Sequence, residues 1–142
     1  MSLQSHIVWT LVYGLIWNAL GWAGNVFLLG GAWDAAGEGL APDFTPPWSP
    51  LTHELLTFVS DFVFAFAFVW IFARLRAQTV PAALALSVVL WLAGVVMTYL
   101  AMVNSGFLPW PITVQTSLLA LTTFLVAAPL LPLAMARAKK RT

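Results

Sequence analysis

Six polar side chains stand in stretches of sequence that are otherwise apolar, and their types and spacing are the ones that could do chemistry: Asn18, Asn25, Glu54, Asp61, Tyr99 and Gln115. Glu54, Thr57 and Asp61 are spaced i, i+3, i+7, so they share one helix face, which continues through Ala65 and Phe68. Glu54 falls in the first turn of its stretch, where an acid complements a helix N-terminus. Asp61 lies about nine residues in, roughly 13 Å along a helix axis. A carboxyl at that depth in an apolar solvent must pair, take a proton or meet water. Counting Asn25 back from Trp33 and Asp61 forward from Thr52 places the two at similar depth on antiparallel helices. The expectation is that Asn25 and Asp61 face each other, with Asn18 one layer deeper. Tyr99 and Gln115, in the outer halves of later stretches, complete a polar pocket open at one end. The other half, rich in Leu, Val, Ala and Phe, is expected to be dry. The plainer alternative is a satisfied hydrogen-bond cluster that only locks the helices together.

The remaining signals read as packing. Gly14, Asn18, Gly21 and Asn25 recur at i, i+4, i+7, i+11 along one face, with Gly24 beside them. Small residues let helices approach closely, so Gly14, Gly21 and Gly24 are expected helix-packing positions. Either Gln115 with Thr122 or Thr116 with Thr123 forms the inward stripe of the last stretch, though threonine often bonds only its own helix backbone. Phe58, Phe62 and Phe66 form a ridge expected to meet lipid or a partner subunit. His53 and Glu54 are adjacent and so point about 100° apart, with no second histidine near, which argues against a metal site. Pro129 and Pro132 should bend the last helix. No catalytic motif is present, and no cofactor is implied.

The elements that must position these residues follow from composition. The 142-residue chain is 61% hydrophobic and 8% charged, where a soluble domain runs near 25% charged. It has no cysteine, which excludes disulfides and thiolate metal sites. Its net charge of +1 gives no nucleic-acid-binding surface. Four apolar stretches, about 7–33, 51–73, 80–103 and 112–136, each reach the ~20 residues that cross a bilayer. Backbone groups find no water there, so the expected fold is an all-α membrane protein, a four-transmembrane-helix antiparallel bundle forming one domain over 1–142. The first stretch has no Lys or Arg before it and exceeds the ~7–15 apolar residues of a signal peptide, so it reads as a span.

All six Lys and Arg lie in the short second connection (Arg74, Arg76) and the tail (Arg137, Lys139, Lys140, Arg141). The positive-inside rule makes that side cytoplasmic, with both termini there. The loop 34–49, with Asp34, Glu38 and Asp43, is expected outside. Trp33, Trp48 and Trp110 fall near the outer boundary and Trp9 near the inner one. Ser49-Pro50 reads as an N-cap followed by a first-turn proline.

Gly14-x-x-Trp17-Asn18, followed by a Trp33-containing exit into a long loop, resembles small bacterial four-span membrane proteins without an assigned activity. The resemblance implies a bacterial inner membrane and carries over no active site. A second likeness, through Glu54, Asp61, Trp91 and Tyr99, is to the four-helix sterol-isomerase and sigma-receptor-like fold, which places acids and aromatics around a greasy cavity. The spacing departs from that family's motif, so no residue role is transferred. Three functions compete. The first is a non-enzymatic bundle that self-associates or serves a larger membrane complex. The second is an apolar small-molecule or lipid binder, or an isomerase, built around Asp61. The third is an oligomeric transporter or channel.

Overall fold

The computed structural model of the chain describes residues 2–38 and 49–139, apart from the side chains of Pro50, His53, Glu54, Ala138 and Lys139. Asp43, Trp48, Lys140 and Arg141, to which the sequence assigns places, lie outside the described residues, as does the Glu54 side chain. The elements are α1 (Leu3–Phe27), α2 (Gly30–Glu38), α3 (Pro50–Phe72), α4 (Val80–Leu90), a π-helical segment (Trp91–Val96), α5 (Met97–Asn104), α6 (Trp110–Ala127) and α7 (Leu130–Lys139). Local chemistry explains the boundaries. The side chains of Ser2, Ser49 and Thr79 each accept a hydrogen bond from the backbone N–H three residues on, and α3, α4 and α6 carry proline in the first turn. At the end of α5, Gly106 takes φ +76°, and the Phe107 and Gly106 N–H groups return to the Met102 and Val103 carbonyls. That pairing closes the helix and needs a residue tolerant of the left-handed region.

Four helical spans result: α1, α3, α4 through α5, and α6 with α7. α1 packs on α3 and α6, and α4 packs on the same two, so the spans form an antiparallel four-helix bundle in which the last closes on the first. One end holds the start of α1, the turn with Arg74 and Arg76, and the end of α7. It is called the basic end below. The opposite, acidic end holds α2. At the basic end Arg74 caps its own helix: a guanidinium nitrogen donates to the Trp70 carbonyl at 3.1 Å, and the group lies 3.7 Å over the Trp70 ring.

The core sits toward the basic end. Tyr13 packs 4.9 Å from Phe68, and Trp17 packs 4.5 Å from Phe124, ring centre to ring centre. Phe72, Ala127, Ala128 and Leu131 complete it. Outside that cluster the spans are greasy. Only 11–33% of each apolar stretch is buried, and large side chains such as Leu15, Trp22, Val63, Leu92 and Val126 are exposed. In water, apolar exposure costs ~25 cal/mol per Å²; in hydrocarbon that penalty vanishes. The chain is an integral membrane protein.

Two spans depart from the sequence reading in detail, and the fourth breaks at the prolines that were expected to bend it. The first ends at Phe27, not near Trp33. α1 closes with the Leu28 and Leu29 N–H groups both on the Gly24 carbonyl, and a new helix starts at Gly30. Trp33 therefore sits on a separate helix. The third span contains a π-helical turn, and the fourth is broken between Ala127 and Leu130.

Candidate functional site

The polar residues singled out in the sequence do not converge on one enclosed pocket. Asn25 is spent locally. Its amide nitrogen donates to the Gly21 carbonyl at 2.8 Å, and its oxygen accepts the Trp33 indole N–H at 2.9 Å. Asn25 thus staples α2 back onto α1 and does not face Asp61. Asn18 donates to the Gly14 carbonyl at 2.8 Å and, across the helix contact, to the Phe58 carbonyl at 3.3 Å. Gly14 lies under the Phe62 ring. These two contacts fix the register: Asp61 is level with about Leu15, roughly 15 Å deeper than Asn25 at 1.5 Å per residue. Taking Trp33 as the end of the first helix is what misplaced it.

Asp61 is half-buried and lies within electrostatic reach of the Tyr99 phenol, which brings together two of the expected residues. Gln115 is exposed and points away from the interior, as does Thr122, whereas Thr116 and Thr123 are buried. All four of Thr113, Thr116, Thr122 and Thr123 bond the carbonyl four residues back, so none offers a free hydroxyl proton to a ligand.

The glycine stripe divides too. A Cβ on Gly14 would fall inside the Phe62 ring, and one on Gly24 inside the Leu119 side chain. Gly21 has nothing within 4 Å, so it is not a packing position. Beyond Asn18 the two helices separate. The Phe58, Phe62 and Phe66 ridge is likewise interrupted, because Phe62 fills the Gly14 notch while Phe58 and Phe66 remain exposed.

Several residues that hold the bundle together were missed. Gly94, in the π-helical turn, receives the Phe64 ring, which a Cβ would meet at 2.6 Å. The Trp91 indole N–H donates to the Ser117 carbonyl at 2.8 Å, joining spans three and four. Tyr13, fully buried, hydrogen-bonds into the break of span four. The half near the basic end is therefore not wholly apolar. His6, Thr10, Tyr13 and Trp17 recur at i, i+4, i+7, i+11, and each buries a polar atom; of these four atoms only the Tyr13 hydroxyl finds a protein hydrogen-bond partner. The spacing was present in the sequence. It was hidden because three of the four residues also read as ordinary apolar or interfacial side chains.

Two shallow grooves lie in the acidic half. One of about 350 Å³ runs between α1 and α6, along Leu20, Gly24, Phe27, Leu119 and Val126. The other, about 190 Å³, lies between α5 and α6 beside Tyr99, Trp110, Thr113 and Ser117. Neither includes Asp61. No family model, curated protein or solved structure matches the chain. Function must therefore be argued from the geometry alone. The geometry is asymmetric: closely packed aromatics lie toward the basic end, and on the acidic side α3 is exposed over residues 55–60, up to mid-span Asp61.

Proposed function

We propose that the chain is a non-enzymatic membrane bundle that works as a self-associated assembly, seated in a bacterial inner membrane with its basic end in the cytoplasm. One observation carries this reading. Residues 55–60 of α3 are all exposed, a stretch longer than a full turn of helix. That segment leads directly to half-buried Asp61. Polar and ionisable groups at membrane depth face a bundle interior or a polar partner. Polar side chains on a lipid-exposed helix also serve as contacts between helices. A second copy supplies such a partner to the open half. Counting labelled chains in lipid vesicles at high lipid excess tests this. More than one copy per assembly is expected, and a uniform population of single copies would overturn it.

A second reading has its own observation, the apolar groove between α1 and α6, whose walls suit an acyl chain or another apolar molecule. It predicts that one such molecule stays with the purified protein at fixed stoichiometry. A bound-lipid profile identical to that of the surrounding membrane removes it.

A further inference from the structure

We propose that α7 is a hinged segment and that the Tyr13 hydroxyl is the latch holding it in line. The hinge comes from two prolines. In an unbroken helix the N–H of residue 132 would donate to the Ala128 carbonyl, and that of residue 129 to the Leu125 carbonyl. Pro132 and Pro129 have no such N–H, and a proline ring also crowds the carbonyl one turn back. The helix is intact on either side: the Ala128 N–H reaches the Phe124 carbonyl at 2.9 Å, and the Leu133 N–H reaches the Pro129 carbonyl at 3.1 Å. Between these two bonds the ladder is interrupted, and α6 ends at Ala127 while α7 begins at Leu130.

Tyr13 of α1 enters this gap. Its hydroxyl donates to the Ala128 carbonyl at 3.2 Å, the acceptor that Pro132 leaves without its donor. The same oxygen accepts the Leu131 N–H at 3.1 Å, which in an unbroken helix would go to Ala127. A phenol is suited to the place because one oxygen both donates and accepts. Hydrocarbon offers no water to take over either bond, so these backbone groups depend on a protein partner. A single side chain from another span thus stands in for the missing rung. A shift of α1 against α6 removes both bonds together and frees α7, with Arg137 near its end, to pivot about residues 128–131.

The absence of cysteine allows a direct test in the full chain in lipid vesicles. Met135→Cys reports on α7, since Met135 packs against the core. Ala83→Cys reports on a buried position of α4. Tyr13→Phe keeps the ring and removes only the hydroxyl. The expected result is that Tyr13→Phe speeds maleimide labelling at position 135 by about tenfold or more, while labelling at position 83 is unchanged. Adding Pro132→Ala, which restores a donor to the Ala128 carbonyl, returns the slow rate. No change at position 135, an equal rise at both positions, or failure of Pro132→Ala to restore the slow rate would each overturn the latch.

Discussion

Trp17→Ala will lower the stability of the bundle by about 3–5 kcal/mol, the range for removing a large aromatic from a packed core, whereas Trp22→Ala will cost less than about 1 kcal/mol. The two residues share one helix, five positions apart, so propensity and hydropathy treat them alike. Packing separates them. Trp17 is 2% exposed, with the rings of Tyr13, Phe68 and Phe124 against it. Trp22 is 62% exposed and touches the Phe27 ring on its own helix. Its removal trades one lipid contact for another. Unfolding by steric trapping in a bilayer or mild micelle reads both values. Equal costs at the two sites would mean that the aromatic cluster is not the core.

The second large effect is a difference of sign between two glycines seven residues apart. Gly14→Ala places a methyl group inside the Phe62 ring, and overpacking of this kind costs about 1–3 kcal/mol. Gly21→Ala meets nothing within 4 Å, so the gain in helix propensity, up to about 1 kcal/mol, is left uncancelled. The same unfolding measurement should show the first substitution destabilising and the second neutral or stabilising. Phe62→Ala in the Gly14→Ala background should recover part of the loss, because it removes the clash. Destabilisation by both glycine substitutions would place a neighbour over Gly21 and close the acidic half.

The architecture was legible because length, apolar content and the placement of six cations are additive properties of a segment. Helix starts were legible for a similar reason: Ser49-Pro50 carries its own cap. The register between helices was not. It depends on where α1 stops, and the break at Leu28–Leu29 lies inside an apolar run that reads as one span. Once Trp33, which begins the second turn of α2, was counted as the end of helix one, Asn25 was matched in depth to Asp61, although its side-chain partner is Trp33 itself. Gly14 was found by its spacing, but the same spacing pointed with equal force to Gly21; only the separation of α1 from α3 beyond Asn18 distinguishes them. Tyr13 had an indirect signal. Two prolines in an apolar helix orphan carbonyls, and orphaned carbonyls in hydrocarbon require a donor from elsewhere. Few side chains at that depth can donate, and Tyr13 is one of them.

The exposure of α3 on the acidic side, against the closed core toward the basic end, supports the proposal that copies of the chain complete one another. The uncovered turn of α3 that leads to half-buried Asp61 is the reason, and counting copies in the bilayer reaches that claim most directly. Labelled chains diluted into lipid vesicles are bleached one fluorophore at a time, first as the native sequence and then with Asp61→Leu. Self-association predicts two or more bleaching steps per assembly for the native chain, moving toward one in the substituted chain. A single step for the native chain at every protein-to-lipid ratio would contradict it.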